Sequence, residues 1–375
     1  ALSSASVYIS TENEGSGTQD GTITVSSAIN YTGSNNRTLQ LVAAEDIAVN
    51  ASIKSTSTGK LTLKLNAQGD VTIGSGSATN VEIVTKGGNF TVTGGQDDGI
   101  AIGENFGVGA GSFTSHSSSL IDTTGAADKA GGNVDISSAV RDPGSGNTTG
   151  NIVIGGDITT SGGTVSSSGD GKAGGTVDIV ARNAGTLTIS TGADITTTGS
   201  AANTSGAGGA GGNVTLNTAT TTLTLNDTLI STAGGAGAGG GAVGNGGNIV
   251  ISDPLTIATD EVQLNTGTGS TAGDITTSTI DGAASLNLTY GGGTLSTGLI
   301  GSNTGLTGLT YSGTALTLSN NITLDNGALT ISAAANLGAD ITVTTNNGAI
   351  TFNSTIDGGQ ALTLVSGTGA TAIQG

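Results

Sequence analysis

Short runs in which apolar and polar residues alternate recur along the whole chain. The run Leu61-Thr62-Leu63-Lys64-Leu65 shows the pattern most clearly, and Ile23-Thr24-Val25 and Val71-Thr72-Ile73 repeat it in shorter form. Successive side chains of a β-strand point to opposite faces, so each run predicts a short strand with one buried face. Gly, Ser, Asn and Asp, which form turns, fill the spaces between the runs. The chain is therefore predicted to be all-β, with many strands and many turns.

The last third of the chain repeats itself with a period of about 21 residues. Leu288-Thr289-Tyr290 returns as Leu309-Thr310-Tyr311, and the same spacing relates a series of further apolar residues: Leu295, Leu316 and Leu337; Leu329 and Ile350; Ile331 and Phe352; Ile341 and Leu362; Val343 and Leu364. Fixed periods of about 20 to 50 residues are typical of solenoids, propellers and arrays. Strand-like triplets at this period predict a β-solenoid of about 21 residues per coil, hence about 18 coils and a length on the order of 85 Å. Tyr290 is expected to stack on Tyr311.

The middle of the chain carries a second repeat, a Gly-Gly pair followed by Asn or Thr and then an apolar residue. Its copies begin at Gly87, Gly131, Gly174, Gly211 and Gly246. The first two spacings are close to twice the period of the last third, which predicts two coils per copy, and the later spacings predict shortened coils. Glycine is expected at these corners because it adopts positive φ without a Cβ clash.

Two stretches, 206–212 and 234–247, consist almost wholly of small residues. We expect them to be loops extruded from one corner of the rod. The alternative is that they are flexible linkers, in which case the rod would break near residues 206 and 240.

The predicted organisation is one continuous solenoid over residues 1–375. It comprises first coils in 1–130, Gly-Gly-Asn repeat coils with glycine-rich loops in 131–253, and regular 21-residue coils in 254–375. Both ends begin or stop in strand-like sequence, so we expect either that the chain continues in the natural protein or that its ends pack on a neighbour.

Composition and charge narrow the possible functions. The chain has 68 Gly and no Cys, which excludes disulfides and thiolate metal sites. Its apolar residues are dispersed in regular alternation, which favours order over disorder. No apolar run approaches the length of about 20 residues that crosses a bilayer, so direct membrane insertion is not expected. The net charge is −18 and every Lys and Arg lies at or before Arg182, so a nucleic-acid partner is not expected.

Several segments resemble the repeat region of filamentous-haemagglutinin-like adhesins. They include Gly21 to Val25, Leu39 to Ala44, Gly69 to Ile73, Gly174 to Ile179 and the Thr- and Asn-rich repeats after residue 280. The resemblance implies a right-handed parallel β-helix, export by two-partner secretion in Gram-negative bacteria, and adhesion at the cell surface. Such proteins carry a secretion domain with Asn-Pro motifs, whereas both prolines here, Pro143 and Pro254, follow Asp.

Candidate catalytic residues are few. His116, beside Ser115 and Ser117 to Ser119, is the only histidine for a Ser-His-Asp site, and a serine-rich loop explains it better. Asp97 and Asp98 with Glu104 are the candidate carboxylates for a glycoside hydrolase.

Candidate calcium ligands compete with turn chemistry. Asp135, Asp157 and Asp178 are spaced by close to the predicted coil length of about 21 residues. We therefore expect them to lie above one another, where their carboxylates could bind calcium. A weaker group combines Glu12, Glu14 and Asp20. Against calcium, many acids immediately precede Ile or Val, which indicates a turn role at strand entrances; examples are Asp46, Asp194, Asp274 and Asp340.

The sequence thus predicts a non-enzymatic rod of a secreted or surface-anchored bacterial adhesin, without a catalytic site, metal site or cofactor. The expected partner is a host or neighbouring cell surface, an extracellular matrix or a glycan. One alternative is a module of an extracellular filament assembled end to end. A second alternative is a polysaccharide-active β-helix enzyme.

Overall fold

The computed structural model describes residues 1–11, 21–67, 69–94, 111–138, 150–182, 184–218 and 221–375. These residues form 37 strands and no helix. Every ladder between named strands is parallel, and each strand pairs with the equivalent strand of the next coil; Ile23, for example, pairs with Ile47, which pairs with Val71. The predicted all-β solenoid is confirmed, and the fold is a parallel β-helix.

The strands are numbered in chain order. The first twelve are β1 Val7–Ser10, β2 Ile23–Val25, β3 Ile29–Tyr31, β4 Arg37–Ala43, β5 Ile47–Val49, β6 Ile53–Ser55, β7 Leu61–Ala67, β8 Val71–Ile73, β9 Glu82–Val84, β10 Phe90–Gly94, β11 Phe113–Ser115 and β12 Leu120–Asp122. The next twelve are β13 Val134–Ser137, β14 Ile152–Ile154, β15 Asp157–Thr159, β16 Val177–Val180, β17 Leu187–Ile189, β18 Ile195–Thr196, β19 Val214–Asn217, β20 Leu223–Asn226, β21 Leu229–Ser231, β22 Ile249–Ile251, β23 Leu255–Thr259 and β24 Glu261–Asn265. The last thirteen are β25 Ile275–Thr277, β26 Ile280–Gly282, β27 Ser285–Gly291, β28 Leu295–Ser296, β29 Leu306–Gly313, β30 Ala315–Leu318, β31 Ile322–Ile331, β32 Ala334–Leu337, β33 Ile341–Thr344, β34 Ile350–Phe352, β35 Ile356–Asp357, β36 Leu362–Val365 and β37 Thr371–Ile373.

The strands line three faces, and each coil contributes to all three. The first face runs from β1 through β4 and β7 to β28, and β30, β32 and β35 continue it as a separate ladder. The second face runs from β2 to β26 and continues through Ile300 into β31, β33 and β36. The third face runs from β3 to β29, then through the end of β31 to β34 and β37. The described residues therefore form thirteen coils, which at about 4.8 Å per coil give a stack about 60 Å long.

Inward-pointing aliphatic side chains form continuous columns in the core. On the first face, one column carries Leu39, Leu63, Phe90, Val134, Val177, Val214, Ile249 and Ile275 from coil to coil. All of these side chains are buried, and the residues between them face outward. The apolar alternation seen in the sequence is thus the inner wall of the solenoid.

The 21-residue coil holds only near the end of the chain. Ile331 pairs with Phe352, Ile341 with Leu362 and Val343 with Leu364, each at the predicted spacing. In the preceding coils the register differs from the prediction, since Leu288 pairs with Tyr311 and Leu318 with Leu337.

Tyr290 and Tyr311 are both buried and close together, although not in the predicted register. Burial raises the pKa of Tyr290 to about 12. Burial and then the proximity of Tyr290 raise the pKa of Tyr311 further. The expected aromatic pair is therefore present as a neighbouring pair inside the core, but the two residues are not equivalent positions of successive coils.

The prediction of two coils per Gly-Gly copy is wrong. Val134 pairs directly with Val177, and Val177 pairs directly with Val214, so each copy is a single long coil. Within the described ranges, residues such as 161–174 and 198–211 extend from a corner of the stack instead of forming further coils. The described residues therefore form thirteen coils where the sequence predicted about 18, and their stack is shorter than the predicted length on the order of 85 Å.

Candidate functional site

A stack of glycine-rich extensions projects from the corner between the third and first faces. We call it the glycine fin and define it by residues 161–174, 198–211 and 233–246, which follow β15, β18 and β21. Shorter extensions, 124–131 and 267–272, lie on either side of it in the stack. The structure places both small-residue stretches of the sequence in the fin or at its base. The ladders of the first face continue past them, so the rod does not break near 206 or 240 as the linker alternative predicted.

A buried threonine closes the base of every extension. Its hydroxyl donates to the carbonyl of the second glycine of the Gly-Gly pair, as from Thr160 to Gly175 at 2.7 Å and from Thr197 to Gly212 at 2.6 Å. The same bond joins Thr85 to Gly88, Thr123 to Gly132 and Thr232 to Gly247. Equivalent bonds join Thr266 to Gly273 and Thr345 to Gly348, where the glycine follows Ala or Asn instead of a second glycine. Along the stack the bonded residues are 3, 9, 15, 15, 15, 7 and 3 positions apart. The hydrogen bond at the base is therefore the same in each of these coils, whereas the length of the extension differs from coil to coil.

Sequence reasoning missed these threonines, although a signal was available. Thr160, Thr197 and Thr232 each stand 15 positions before the second glycine of a Gly-Gly pair. In a chain rich in threonine, that spacing carries no meaning until the extensions are known to share a base.

Replacing Thr197 with valine is expected to lower the free energy of unfolding by about 1 to 3 kcal/mol. The substitution keeps the side-chain shape and removes the hydroxyl, so the buried Gly212 carbonyl loses a donor. Urea denaturation of the parent and the variant measures the difference.

Thr188 to valine is the matched control, because Thr188 lies between the buried Leu187 and Ile189 and faces outward. Its unfolding midpoint should stay close to that of the parent. Equal destabilisation by both substitutions would contradict a specific role for the Thr197 hydroxyl.

The motif glycines are required by close packing of backbones and not by positive φ, which corrects the reason expected from the sequence. A Cβ on Gly212 would lie 1.9 Å from the carbonyl oxygen of Gly175, and one on Gly175 would lie 2.0 Å from that of Gly132. Among the paired glycines of the motif, only Gly87 has a positive φ. A column of second glycines therefore runs up the stack, each backbone lying against the carbonyl of the one before.

Backbone hydrogen bonds order the fin in two directions. Between coils, the N–H of Gly199 donates to the Ala233 carbonyl at 3.0 Å and that of Gly208 donates to the Ala242 carbonyl at 2.9 Å. Within one extension, the N–H of Gly209 donates across to the Ser200 carbonyl at 2.9 Å. The fin is thus a hydrogen-bonded sheet-like layer of its own, built from chain segments without large side chains.

Acidic residues at strand entrances bind backbone amides of the next coil. Asp46 accepts the N–H of Asp70 at 2.7 Å, and Asp194 accepts that of Leu229 at 2.8 Å. Asp274 and Asp340 do the same to Thr294 and Ala361. All four acids named from the sequence for turn chemistry therefore hold one coil to the next.

The predicted calcium column is not formed. Asp135 and Asp178 are register partners on the first face, but Asp157 lies on the third face, below Asp194. Within the described ranges, no group of three or more His, Asp or Glu side chains is arranged to hold a metal ion. Glu12, Glu14 and Asp20 lie outside the described residues. The prediction failed because a single long coil separates Asp135 from Asp178, so an acid midway between them in the sequence lies on another face.

The Asp135 side chain is exposed at its tip, but packing around the carboxyl removes part of its water; this partial desolvation, and then repulsion from Asp178, raise the pKa of Asp135, while Arg182 lowers it. A raised folded-state pKa means that ionisation of Asp135 disfavours the folded state. This loss of folding free energy is absent when the pH is below the ordinary pKa of 3.8. It is fully present once the pH exceeds the raised pKa of the folded state.

Replacing Asp178 with asparagine is therefore expected to stabilise the protein at pH 7 by less than about 1 kcal/mol, because both carboxylates are exposed to water. The gain should vanish below pH 3.8, and the pKa of Asp135 should fall but stay above its ordinary value. Thermal unfolding against pH and a carboxyl NMR titration measure the two effects. The control is Asp357 to asparagine, because the register partner of Asp357 is the uncharged Asn336; an equal gain there would contradict repulsion between Asp135 and Asp178.

His116 lies in a turn and contacts serines. Its Nδ1 atom is 3.0 Å from the Ser118 hydroxyl, which donates to the Thr79 carbonyl at 2.6 Å. The hydroxyl of Ser119 donates to the His116 carbonyl, and Ser115 is buried and accepts the N–H of Gly155. Among the described residues no carboxylate hydrogen-bonds to His116, and its serine contacts belong to the turn. Asp97, Asp98 and Glu104 lie outside the described residues.

No family model, curated protein or solved structure matches this chain. A search of the described residues for a helix long and apolar enough to cross a membrane found none.

Proposed function

We propose that the chain is the non-enzymatic rod of a secreted or surface-anchored bacterial adhesin, displayed outside the cell. The observation that carries the proposal is the structural use of its acids. Asp46, Asp194 and Asp340, like other carboxylates on the stack, accept backbone amides of the adjacent coil. Carboxylates engaged in this way stiffen a stack, whereas hydrolysis of a glycoside needs two carboxyl groups facing one cleft.

A rod of this kind functions mechanically. Parallel ladders on three faces join every coil to its neighbours, so force applied along the stack is shared among many backbone hydrogen bonds. The net charge of −18 keeps such rods apart from one another in solution. The partner would be a host or neighbouring cell surface, an extracellular matrix or a glycan, bound through surfaces that the rod carries away from the cell.

Adhesion of protein-coated beads to cultured host cells and to immobilised matrix tests the proposal. Beads carrying the purified chain should bind more strongly than beads carrying albumin, and soluble chain should compete. Beads that bind no more than the albumin control on every cell and matrix surface would overturn the adhesin proposal.

Two further measurements separate the alternatives. Electron microscopy of the purified chain should show single rods about 60 Å long, whereas end-to-end polymers would favour the filament. Release of reducing sugar from acidic polysaccharides, abolished by changing Asp97 or Asp98 to alanine, would favour the enzyme.

A further inference from the structure

The third extension of the fin has three backbone N–H groups without acceptors among the described residues. In the second extension, the N–H groups of Gly199, Ala202 and Gly208 donate to the carbonyls of Ala233, Ala236 and Ala242 in the extension above, at 3.0, 2.8 and 2.9 Å. The equivalent donors one coil later belong to Gly234, Gly237 and Val243. No carbonyl within the described ranges accepts from these three amides. The next extension, 267–272, is too short to cover them.

Because the extension 267–272 is shorter than the extension 233–246 below it, the fin has a step between them. This step is an open apolar groove. Its volume is about 240 Å³, and its lining includes Ala233, Val243, Thr268 and Ala272. Val243 is 50% exposed, in a chain that buries most of its large aliphatic side chains. Residues 233–247 and 267–273 contain no charged side chain. The groove therefore favours an uncharged occupant with hydrogen-bond acceptors in a row.

We propose that this step is a docking site for a peptide rich in glycine and alanine that folds back on itself as the extensions do. Its carbonyls accept hydrogen bonds from Gly234, Gly237 and Val243, and its small side chains cover Val243. The site goes beyond the role of a rod and continues an interface that the fin already contains. The third extension itself occupies the equivalent surface one coil below.

The spacing of the first two donors fits an extended segment, whereas Val243 lies on the returning limb, where the N–H of Gly244 donates across to the Gly235 carbonyl at 2.9 Å. Gly234 and Gly237 are three residues apart, as are Gly199 and Ala202, which donate to Ala233 and Ala236, also three apart. A polyproline II chain repeats every three residues and leaves its carbonyls free, so one carbonyl per turn can face such donors. An occupant that lies in this way along Gly234 and Gly237 and then folds back over Val243 would bind as the third extension binds the second.

The contacts inside the fin also determine which residue types the bound peptide can have at the positions that face the fin. A Cβ on Gly208 would lie 1.8 Å from the Gly235 carbonyl oxygen, and one on Gly241 would lie 1.8 Å from that of Gly206. At each of these approaches glycine lies against a backbone carbonyl, which in some cases belongs to another residue type, as where Gly235 lies against the Ser200 carbonyl. A peptide seated in the same way needs glycine at the facing positions, which distinguishes it from an ordinary β-strand with a side chain at every position.

The test uses a synthetic peptide with the sequence of residues 233–243, Ala-Gly-Gly-Ala-Gly-Ala-Gly-Gly-Gly-Ala-Val, titrated into the ¹⁵N-labelled full chain. We expect amide shifts concentrated at Gly234, Gly237 and Val243. Changing Val243 to Asp or to Lys should weaken binding about tenfold. The negative and the positive side chain should have the same effect, because each places a charge in an apolar groove. Val243 is exposed, so both variants should retain the parent melting temperature.

Leu299 to Asp is the matched control, since Leu299 is 42% exposed on another part of the stack; it should bind the peptide as the parent does. A peptide in which every glycine is replaced by valine should not bind. The proposal is overturned by an absence of amide shifts at millimolar peptide, by equal effects of the Val243 and Leu299 variants, or by a neutral glycan such as dextran producing the shifts when the peptide does not.

Discussion

Replacing Gly212 with alanine is expected to lower the free energy of unfolding by about 3 kcal/mol, although it adds a single methyl group. The new Cβ would lie 1.9 Å from the carbonyl oxygen and 2.5 Å from the carbonyl carbon of Gly175. Both atoms are backbone, and Gly175 is itself held by the Thr160 hydroxyl and by its place above Gly132. Neither coil can move aside without breaking bonds to its neighbours. Urea denaturation followed by far-ultraviolet circular dichroism measures the loss.

Gly359 to alanine is the matched control for this prediction. Gly359 does not have a positive φ, and a Cβ placed on it meets no atom within 4 Å. Its substitution should change the free energy of unfolding by less than about 0.5 kcal/mol. A Gly212 variant as stable as the Gly359 variant would mean that the coils can separate at this corner, and it would contradict the close-packed glycine column.

The alternation of apolar and polar residues, together with direct repetition at a fixed period, was sufficient to predict the fold. A strand such as Leu61–Ala67 shows its buried face directly in the sequence, and stacked coils need only that the next coil offers a similar run. The number of coils could not be obtained in the same way. The distance from Val134 to Val177 gives the spacing of copies, but not how many times the chain crosses each face between them. Only the register shows that the additional residues leave the stack.

The reason for the glycines was equally hidden from the sequence. Positive φ is a local property and can be expected at any sharp corner, whereas close approach depends on which backbone lies opposite. Gly212 lies against Gly175, one whole coil away, because the two coils happen to have matching corners. The prediction of a calcium column failed for the same reason, because the sequence did not show which residues of neighbouring coils lie opposite Asp157. The position of Asp46 and Asp194 immediately before a strand was visible in the sequence, but their carboxylates bind amides of the next coil and not of a local turn, which only the stack could show.

Close packing through glycine and the threonine at each base together explain how the glycine fin forms. Backbones that pack through glycine can approach closely enough to hydrogen-bond in two directions, so an extension needs no hydrophobic core of its own. The threonine at each base fixes where the extension leaves the stack, and the length of the extension is then free to vary from coil to coil. Such variation creates the step at which Gly234, Gly237 and Val243 are left uncovered. Surfaces for binding can thus change while the rod beneath them stays the same.

Replacing Leu216 with alanine is the second substitution for which we expect a large effect, about 3 kcal/mol lost from the free energy of unfolding. Leu216 is fully buried and lies in register between Ile179 and Ile251. Shortening it opens a cavity that the columns above and below cannot close, because parallel ladders fix the distance between coils. Thr215 to alanine shortens a neighbouring side chain on the outward face of the same strand and should cost less than about 0.5 kcal/mol.

Hydrogen exchange adds a test of how far this damage spreads. In a stack where each coil contacts only its two neighbours, stability is approximately a sum of coil terms and interface terms. Exchange in the Leu216 variant should therefore rise most in β16, β19 and β22, and least in β1 and β35 at the two ends of the first face. A uniform rise over all thirteen coils would mean that the stack unfolds as a single cooperative unit. The argument that the rod tolerates local change in its extensions would then fail, because any altered coil would weaken the whole molecule equally.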